Sequence, residues 1–600
     1  MKRAPILPAV VFLKKFDLKA LALSWVVLLA ACQDQNQPLT LTDLAAPETQ
    51  QTITYNKTAT RSEKYMIASA HPLASQAGLD MLRLGGSAID AMISAELVLS
   101  LVEPQSSGIG GGAFLVSYNA KTGSIDTYDG RETAPKSVKS DQFLDASGKP
   151  KKFYDAAVGG TSVGVPGLLA MMELAHKENG KLPWAVLFQP AIELAEKGFN
   201  VSERLANKIA KDKYLKTQKQ ARDYFYDENG NPLKAGTLLK NPKLAEVLTK
   251  VANFGAGVFY KGKIAREIAR TINTAPKNKG DMKVADIGAY KAIKRPPVCL
   301  PYKTNLLCGM GPPSSGGLTT LQILGMLQSF DMETKKPGSI EAVHLIAEAS
   351  RLAFADRNTY MADPDFVPVP EGGLLNQTYL KFRAKTIDPN RARGIRQPGM
   401  PGAGAWLWPA SDDIEKGLST TQLSVIDGDG NAASMTASIE NAFGSRLMSQ
   451  GFLLNNQLTD FSFRPEKNGA PVANAVEGGK RPRSSMSPML VFDDSGKVVL
   501  SVGTPGGSRI IGYVVKTLIG VLDWGMDIQQ AINLPNFVNR NGATELEQGT
   551  ELEALRIPLE AMGHEVKTFE WKSGLQGVSV VNGAFVGGAD PRREGVVLGD

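Results

Sequence analysis

The chain has 600 residues, 43% hydrophobic and 21% charged, with 60 glycines and 35 prolines, which is material for a large, loop-rich globular core and excludes disorder, collagen and coiled coil. Length alone suggests about four domains. Of the formal net charge of +7, residues 1–31 hold five basic side chains against Asp17, so the rest is only mildly basic and offers no phosphate-tracking surface for nucleic acid. The four histidines, His71, His176, His344 and His564, never fall within one helical turn of each other, so no metal site and no cofactor is expected.

Residues 1–31 read as an export signal: a basic start is followed by Ala20–Ala31, an apolar run too short to cross a bilayer core of about 30 Å. The run ends in Leu29-Ala30-Ala31-Cys32, which resembles the lipobox of bacterial lipoproteins. That resemblance implies lipidation of Cys32, which becomes the first residue. Gln33 favours outer-membrane retention, and the location implied is the periplasmic side of a Gram-negative outer membrane, with membrane contact through the lipid anchor alone. Residues 32–62 are polar and nearly free of aromatics, a composition that cannot order itself, and read as a tether.

Gly108-Ile109-Gly110-Gly111-Gly112-Ala113 matches a dinucleotide fingerprint, but an alternating strand follows instead of the helix that holds a pyrophosphate. Gly160-Thr161-Ser162-Val163-Gly164 matches the nucleophile elbow of serine hydrolases, but Val165-Pro166-Gly167 intervenes before any helix, so a structural turn is expected. Cys299 and Cys308 flank a hairpin centred between Lys303 and Thr304. Cross-strand Cβ atoms about 4.5–5.5 Å apart make a disulfide feasible. Pro312-Pro313-Ser314-Ser315-Gly316-Gly317 is a rigid turn entering an apolar helix.

The Pro/Gly-rich stretch from Ile387 to Ser419 reads as an exposed, cleavable loop. Two strand-like runs follow around Asp427-Gly428-Asp429-Gly430, and a hairpin centred on Asp429 pairs Thr420 with Ser438 and puts Glu440 on their face. A threonine hydroxyl needs a base, and a free α-amine with a pKa of about 7.7–8 can serve. An N-terminal Thr420 carries both groups, provided the chain breaks after Ser419. Asn455, Asn456, Gln457 and Asp460 suit an ammonium, and Ser484-Ser485 offer adjacent hydroxyls. Gly506-Gly507, before a helix, present backbone N–H groups for an oxyanion.

Together with Ala70-His71-Pro72, Gly85–Ala91, Gly108–Gly112, Asp129-Gly130-Arg131-Glu132-Thr133-Ala134-Pro135, the Pro312–Gly317 turn and Ala589–Gly595, these segments resemble the γ-glutamyltranspeptidases, members of the N-terminal-nucleophile hydrolase superfamily. The resemblance implies an α+β fold, a four-layer αββα sandwich cut into a large subunit, 63–419, and a small catalytic subunit, 420–600, which stay paired. It implies self-cleavage between Ser419 and Thr420, with Thr420 as nucleophile and Thr421 and Ser438 holding its amine and hydroxyl. Arg131, Ser484 and Ser485 are implied to bind the substrate α-carboxylate, and Asp460, Gln457 and Glu440 the α-ammonium, while Gly506 and Gly507 form the oxyanion hole. A γ-glutamyl amide such as glutathione then acylates Thr420, and water or an amino acid or peptide amine takes the acyl group. Two positions depart from the pattern. Gln422 stands where many relatives have His, which affects packing, and the Asp460–Ser484 segment is short and lacks Tyr and Trp, a hint of a stunted lid and of hydrolysis. The rivals are an acylase of the same superfamily acting on glutaryl or cephalosporin amides, and an inactive γ-glutamyl-binding lipoprotein.

Overall fold

The computed structural model describes residues 57–402, 419–467, 469–570 and 573–600. The expected signal segment, Cys32 and most of the expected tether lie outside the described residues, as do residues 403–418 of the stretch expected to be a cleavable loop. All described residues belong to one compact unit, so the apparent allowance of about four domains resolves into a single body.

Its frame is two seven-stranded sheets. In chain order the strands are β1 (Thr60–Ser62), β2 (Met66–Ser69), β3 (Gly112–Asn119), β4 (Ser124–Asp129), β5 (Ile293–Arg295), β6 (Val298–Tyr302), β7 (Asn305–Gly309), β8 (Thr420–Ile426), β9 (Ala432–Ser438), β10 (Met489–Phe492), β11 (Val498–Gly503), β12 (Gln576–Val581), β13 (Ala584–Ala589) and β14 (Val596–Gly599). The first sheet runs β14-β2-β8-β9-β3-β4-β5 and the second β1-β13-β12-β11-β10-β7-β6. Both sheets mix strands from before and after residue 420. The two segments are therefore interleaved within each sheet, and neither builds a layer alone.

The sheets meet face to face, and short hydroxyl side chains bond across the seam. Ser434 Oγ donates to the Val502 carbonyl at 3.0 Å, Ser501 Oγ to Ala433 at 2.9 Å and Ser424 Oγ to Gln576 at 3.0 Å. These three buried hydroxyls are thus satisfied by the opposite sheet, which lets serines stand in the seam, and the strand Thr420-Thr421-Gln422-Leu423-Ser424-Val425-Ile426 is buried along its whole length. Helices α1 (Pro72–Arg83) and α2 (Ala88–Val102) cover the first sheet, and α3 (Gly316–Leu327) and α5 (Ile510–Leu522) the second, with α4 (Ile340–Tyr360) packed on α3. Every residue of α2 is buried, and its start is fixed by a reciprocal cap between Ser87 and Asp90. The result is the four-layer αββα sandwich.

The tether boundary needs one correction. Thr60–Ser62 pair with Gly587, Val586 and Phe585, because β13 would otherwise leave an open sheet edge that an extended, β-branched segment can close. At the opposite edge, β6 and β7 pair Cys299 with Cys308 around a turn joining Tyr302 and Asn305, and the two sulfurs are bonded.

Candidate active site

Strands β8 and β9 are neighbours at the centre of the first sheet, and their register pairs Thr420 with Ser438. The two hydroxyl oxygens stand 3.0 Å apart, and Ser438 Oγ is also 3.1 Å from the carbonyl oxygen of Ser419 and 2.9 Å from the Glu440 N–H. Proton counting fixes the directions. Ser438 has one proton and donates it to the Ser419 carbonyl, so Thr420 must donate to Ser438. The peptide carbonyl preceding the nucleophile is thereby polarised by a hydroxyl, while the nucleophile's proton already points to an acceptor. Ser419 and Thr420 are both buried, and Ser419 Oγ donates to the Gln105 carbonyl at 2.7 Å.

Close backbone approach explains the glycines of Gly108–Gly112. A Cβ on Gly111 would lie 2.2 Å from the Ser438 carbonyl oxygen, and one on Gly110 would lie 2.0 Å from that of Leu453. These residues let β3 run against the nucleophile hairpin, and a strand, not a helix, follows them. Ser162 is likewise structural: its hydroxyl is buried and donates to the carbonyls of Ala157 and Gly159 at 2.7 and 3.0 Å.

Thr421 does not join the Thr420–Ser438 pair. Successive strand residues face opposite sides of a sheet, and the buried Thr421 Oγ1 has no hydrogen-bond partner among the described residues. Gln422 serves packing: it accepts from Thr436 Oγ1 at 2.6 Å and donates to Ser434 Oγ at 3.0 Å between the sheets.

Beside this centre, joined to it through Glu440 and Asn456, lies a cluster of polar side chains. The Arg131 guanidinium is buried and donates through Nε to the Pro482 carbonyl at 3.0 Å, and through Nη2 to Asp460 Oδ2 at 2.6 Å and the Arg483 carbonyl at 3.0 Å. Gln457 Nε2 donates to the same Asp460 oxygen at 2.8 Å. A carboxylate only accepts, so the amide orientation is fixed, and Gln457 Oε1 is left buried without a partner among the described residues. Glu440, at φ 79°, takes a hydrogen bond from Asn456 Nδ2. Ser484 Oγ accepts from the Met486 N–H at 3.1 Å and Ser485 Oγ from Arg357 Nη2 at 2.7 Å, so both hydroxyls are held as acceptors with their protons available to an anion. Glu132, next to Arg131, is buried, and that burial pushes its carboxyl up to about 8 despite the neighbouring guanidinium.

The glycine nest differs in one detail from expectation. Gly506 and Gly507 have φ of 148° and 59°, and a single 3₁₀ turn, Gly507–Arg509, capped by Gly506, precedes the helix that begins at Ile510. A connection to the nucleophile runs through Arg593, a residue whose role the sequence did not disclose. Its Nη1 donates to the Thr420 carbonyl at 2.9 Å. A Cβ on Gly574 would meet Arg593 Cδ at 2.8 Å and Pro505 Cγ at 2.7 Å, so Arg593 sits against the segment leading into Gly506. Burial lowers the Arg593 guanidinium to about 9, and Arg204 adds to the effect. The signal was present in Asp590-Pro591-Arg592-Arg593, but both arginines are buried and nothing local tells which of them reaches Thr420. Among the described residues no cluster of His, Cys, Asp and Glu could hold a metal ion.

A threonine that opens a strand at the seam between two sheets, inside an αββα sandwich, is the arrangement of an N-terminal-nucleophile hydrolase, and the fold places this protein in that class. The family model for gamma-glutamyltranspeptidase matches residues 74–600, and the chain belongs to that family. The chain is 37% identical over 549 residues to the glutathione hydrolase proenzyme of Escherichia coli, covering 89% of this chain and 91% of that protein. Among solved structures, a cephalosporin acylase from Bacillus halodurans aligns with a TM-score of 0.80 at 25% identity, covering 93% of this chain and 99% of that one. The Helicobacter pylori gamma-glutamyltranspeptidase aligns with a TM-score of 0.52 at 32% identity, covering 59% and 95%.

Proposed function

We propose that the protein is a γ-glutamyltranspeptidase and glutathione hydrolase made as a precursor that cuts itself between Ser419 and Thr420. In the uncut chain Thr420 Oγ1 attacks the Ser419 carbonyl carbon while Ser438 supports the developing oxyanion. The Ser419–Thr420 C–N bond breaks as the ester to Oγ1 forms, with the hydroxyl proton passing to the nitrogen and freeing the Thr420 α-amine; water then hydrolyses the ester, releasing the Ser419 carboxylate and restoring the Thr420 hydroxyl. That amine then serves as base when Thr420 attacks the γ-carbonyl of substrate, Gly506 and Gly507 receive the oxyanion, and a γ-glutamyl-enzyme results. Water resolves it to glutamate, and an amino acid or peptide amine resolves it to a new γ-glutamyl amide.

One observation carries the γ-glutamyl reading. The cluster offers donors and acceptors together: the Ser484 and Ser485 protons suit a carboxylate, while Gln457 Oε1 suits an ammonium. Asp460 takes both of its donors on Oδ2, which leaves Oδ1 for the same ammonium. An α-amino acid head group needs that combination and a glutaryl group does not. The second reading, a glutaryl or cephalosporin acylase, is favoured by the 0.80 TM-score to an acylase. Comparing hydrolysis of γ-glutamyl and glutaryl anilides decides between them: preference for γ-glutamyl supports the proposal, and preference for glutaryl overturns it.

We further propose export and lipidation at Cys32, with outer-membrane anchoring on the periplasmic side, supported by Leu29-Ala30-Ala31-Cys32 and Gln33. Radiolabelled palmitate incorporated by the wild type and lost in Cys32→Ala supports this, and no incorporation contradicts it.

A further inference from the structure

We infer that Arg357 is a positioning residue that aims the Ser485 hydroxyl at the substrate carboxylate. The inference rests on the reading that Ser484 and Ser485 bind that carboxylate.

Arg357 lies near the end of α4, 4% exposed, with its guanidinium over the Phe354 ring. Its Nε donates to Ser315 Oγ at 2.9 Å and its Nη2 to Ser485 Oγ at 2.7 Å. A guanidinium has donors only, so each serine is obliged to accept there, and each hydroxyl retains one proton to place. Ser315 places its proton on the Ser484 carbonyl at 2.6 Å. Ser485 is partly exposed and donates to no described residue, so its proton is available to an anion.

The same arginine settles where the serine pair sits. Ser315 also donates its N–H to the Ser484 carbonyl at 2.9 Å, and Ser484 donates its N–H to Pro313 at 3.0 Å. On the other side Arg131 holds the carbonyls of Pro482 and Arg483. Residues 482–485 are therefore strapped between two arginines. Arg131 fixes the backbone, while Arg357 fixes a side-chain proton and, through Ser315, the turn Pro312–Gly317. This gives the Pro-Pro-Ser-Ser-Gly-Gly segment, uninformative as sequence, a function: it carries the orientation set by α4 to the carboxylate donors. A neutral donor in place of Arg357 would leave the Ser485 rotor less constrained and less polarised, because charge-assisted hydrogen bonds are about twice as strong.

The test uses the full processed protein and three anilides: γ-glutamyl, glutaryl, which keeps the carboxylate without the ammonium, and butyryl, which has neither. Arg357→Met is expected to raise KM about tenfold or more for both carboxylate-bearing substrates and to leave kcat/KM for the butyryl anilide within about twofold. Arg357→Lys keeps the charge and is expected to show a smaller loss with the same selectivity. Combining Arg357→Met with Ser485→Ala is expected to be no worse than the poorer single variant. Self-cleavage at Ser419–Thr420 needs no carboxylate subsite, so it reports folding in every variant. If Arg357→Met does not cleave itself, the selectivity of Arg357→Lys decides. Equal losses on all three substrates, or an unchanged KM for the carboxylate-bearing ones, overturn the inference. A wild type that prefers glutaryl overturns the γ-glutamyl reading instead, and the glutaryl-to-butyryl comparison still decides the role of Arg357.

Discussion

Thr420 donates its hydroxyl proton to Ser438, and Ser438 in turn donates to the carbonyl that precedes Thr420, at 3.0 and 3.1 Å. Three groups are thereby set for an attack of the threonine on its own upstream peptide: nucleophile, proton acceptor and oxyanion donor. Ser438→Ala removes two of the three roles. The expected outcome is self-cleavage slowed about 10²–10³-fold, read as the half-life of the full-length band after purification, with Ser438→Thr retaining the wild-type rate within a small factor. Equal cleavage rates for Ser438→Ala and wild type would remove Ser438 from the mechanism.

Asp460 has two tasks, holding Arg131 at 2.6 Å and, in the proposed complex, receiving the substrate ammonium. Asp460→Asn can still accept from Arg131 but loses the charge. For the γ-glutamyl anilide, KM is expected to rise about tenfold to a hundredfold, the worth of a hydrogen bond to a charged group. For the glutaryl anilide, which has no ammonium, the change is expected to be small. A rise of the same size on both would show that Asp460 acts by supporting Arg131.

Much of this was readable in the sequence, for local reasons. The Thr420–Ser438 pair follows from symmetry about Asp429, and the Cys299–Cys308 pair from symmetry about a turn, because hairpin register is set by the turn. The head-group residues were named through the resemblance to the γ-glutamyltranspeptidases, with which residue types suited to a zwitterion agree. Residues whose partners are far along the chain stayed hidden. Arg593 reaches Thr420 across 173 positions, and Arg357 reaches Ser485 across 128. Thr421 was misjudged for the opposite reason: adjacency in sequence places a strand residue on the other face.

Buried titratable groups set opposing pH windows. Burial lowers His71 to about 4, below its usual 6.5, so the native state binds fewer protons and the contribution is lost as pH falls from about 6.5 to about 4. Burial raises Glu96 to about 8, with Ser107 pulling the other way, so its contribution is present at low pH and lost as pH rises from about 4.5 to about 8. The two slopes oppose each other between about pH 4.5 and 6.5, so variants are needed to separate them. Glu96→Gln is expected to gain on the order of 4 kcal/mol relative to wild type between pH 4.5 and 8.5, measured as unfolding free energy in urea. His71→Asn keeps a capping acceptor for α1 and is expected to lose the acid-side slope, about 3 kcal/mol between pH 7 and 4. Parallel curves for variant and wild type would contradict the assignment.

The Cys299–Cys308 bridge joins residues nine apart on the edge strand β6 and its neighbour β7. So short a loop restrains the unfolded chain modestly, and Cys299→Ser with Cys308→Ser is expected to cost about 2–3 kcal/mol. Self-cleavage and KM are expected to be unchanged, since the bridge lies at the far edge of the second sheet. Mass spectrometry of the alkylated, unreduced protein checks the bridge itself: two free thiols at these positions contradict it.

In the proposed mechanism Thr420 becomes an N-terminus by the protein's own chemistry. The most direct measurement is N-terminal sequencing of the bands that purified wild type and Thr420→Ala give on a denaturing gel. The expected result is two wild-type fragments, the smaller beginning Thr420-Thr421-Gln422, which elute together under native conditions because strands from both segments share each sheet. Thr420→Ala is expected to stay whole and inactive. A wild-type chain that remains uncut while releasing glutamate, or a Thr420→Ala chain that still cuts at this bond, would contradict the account.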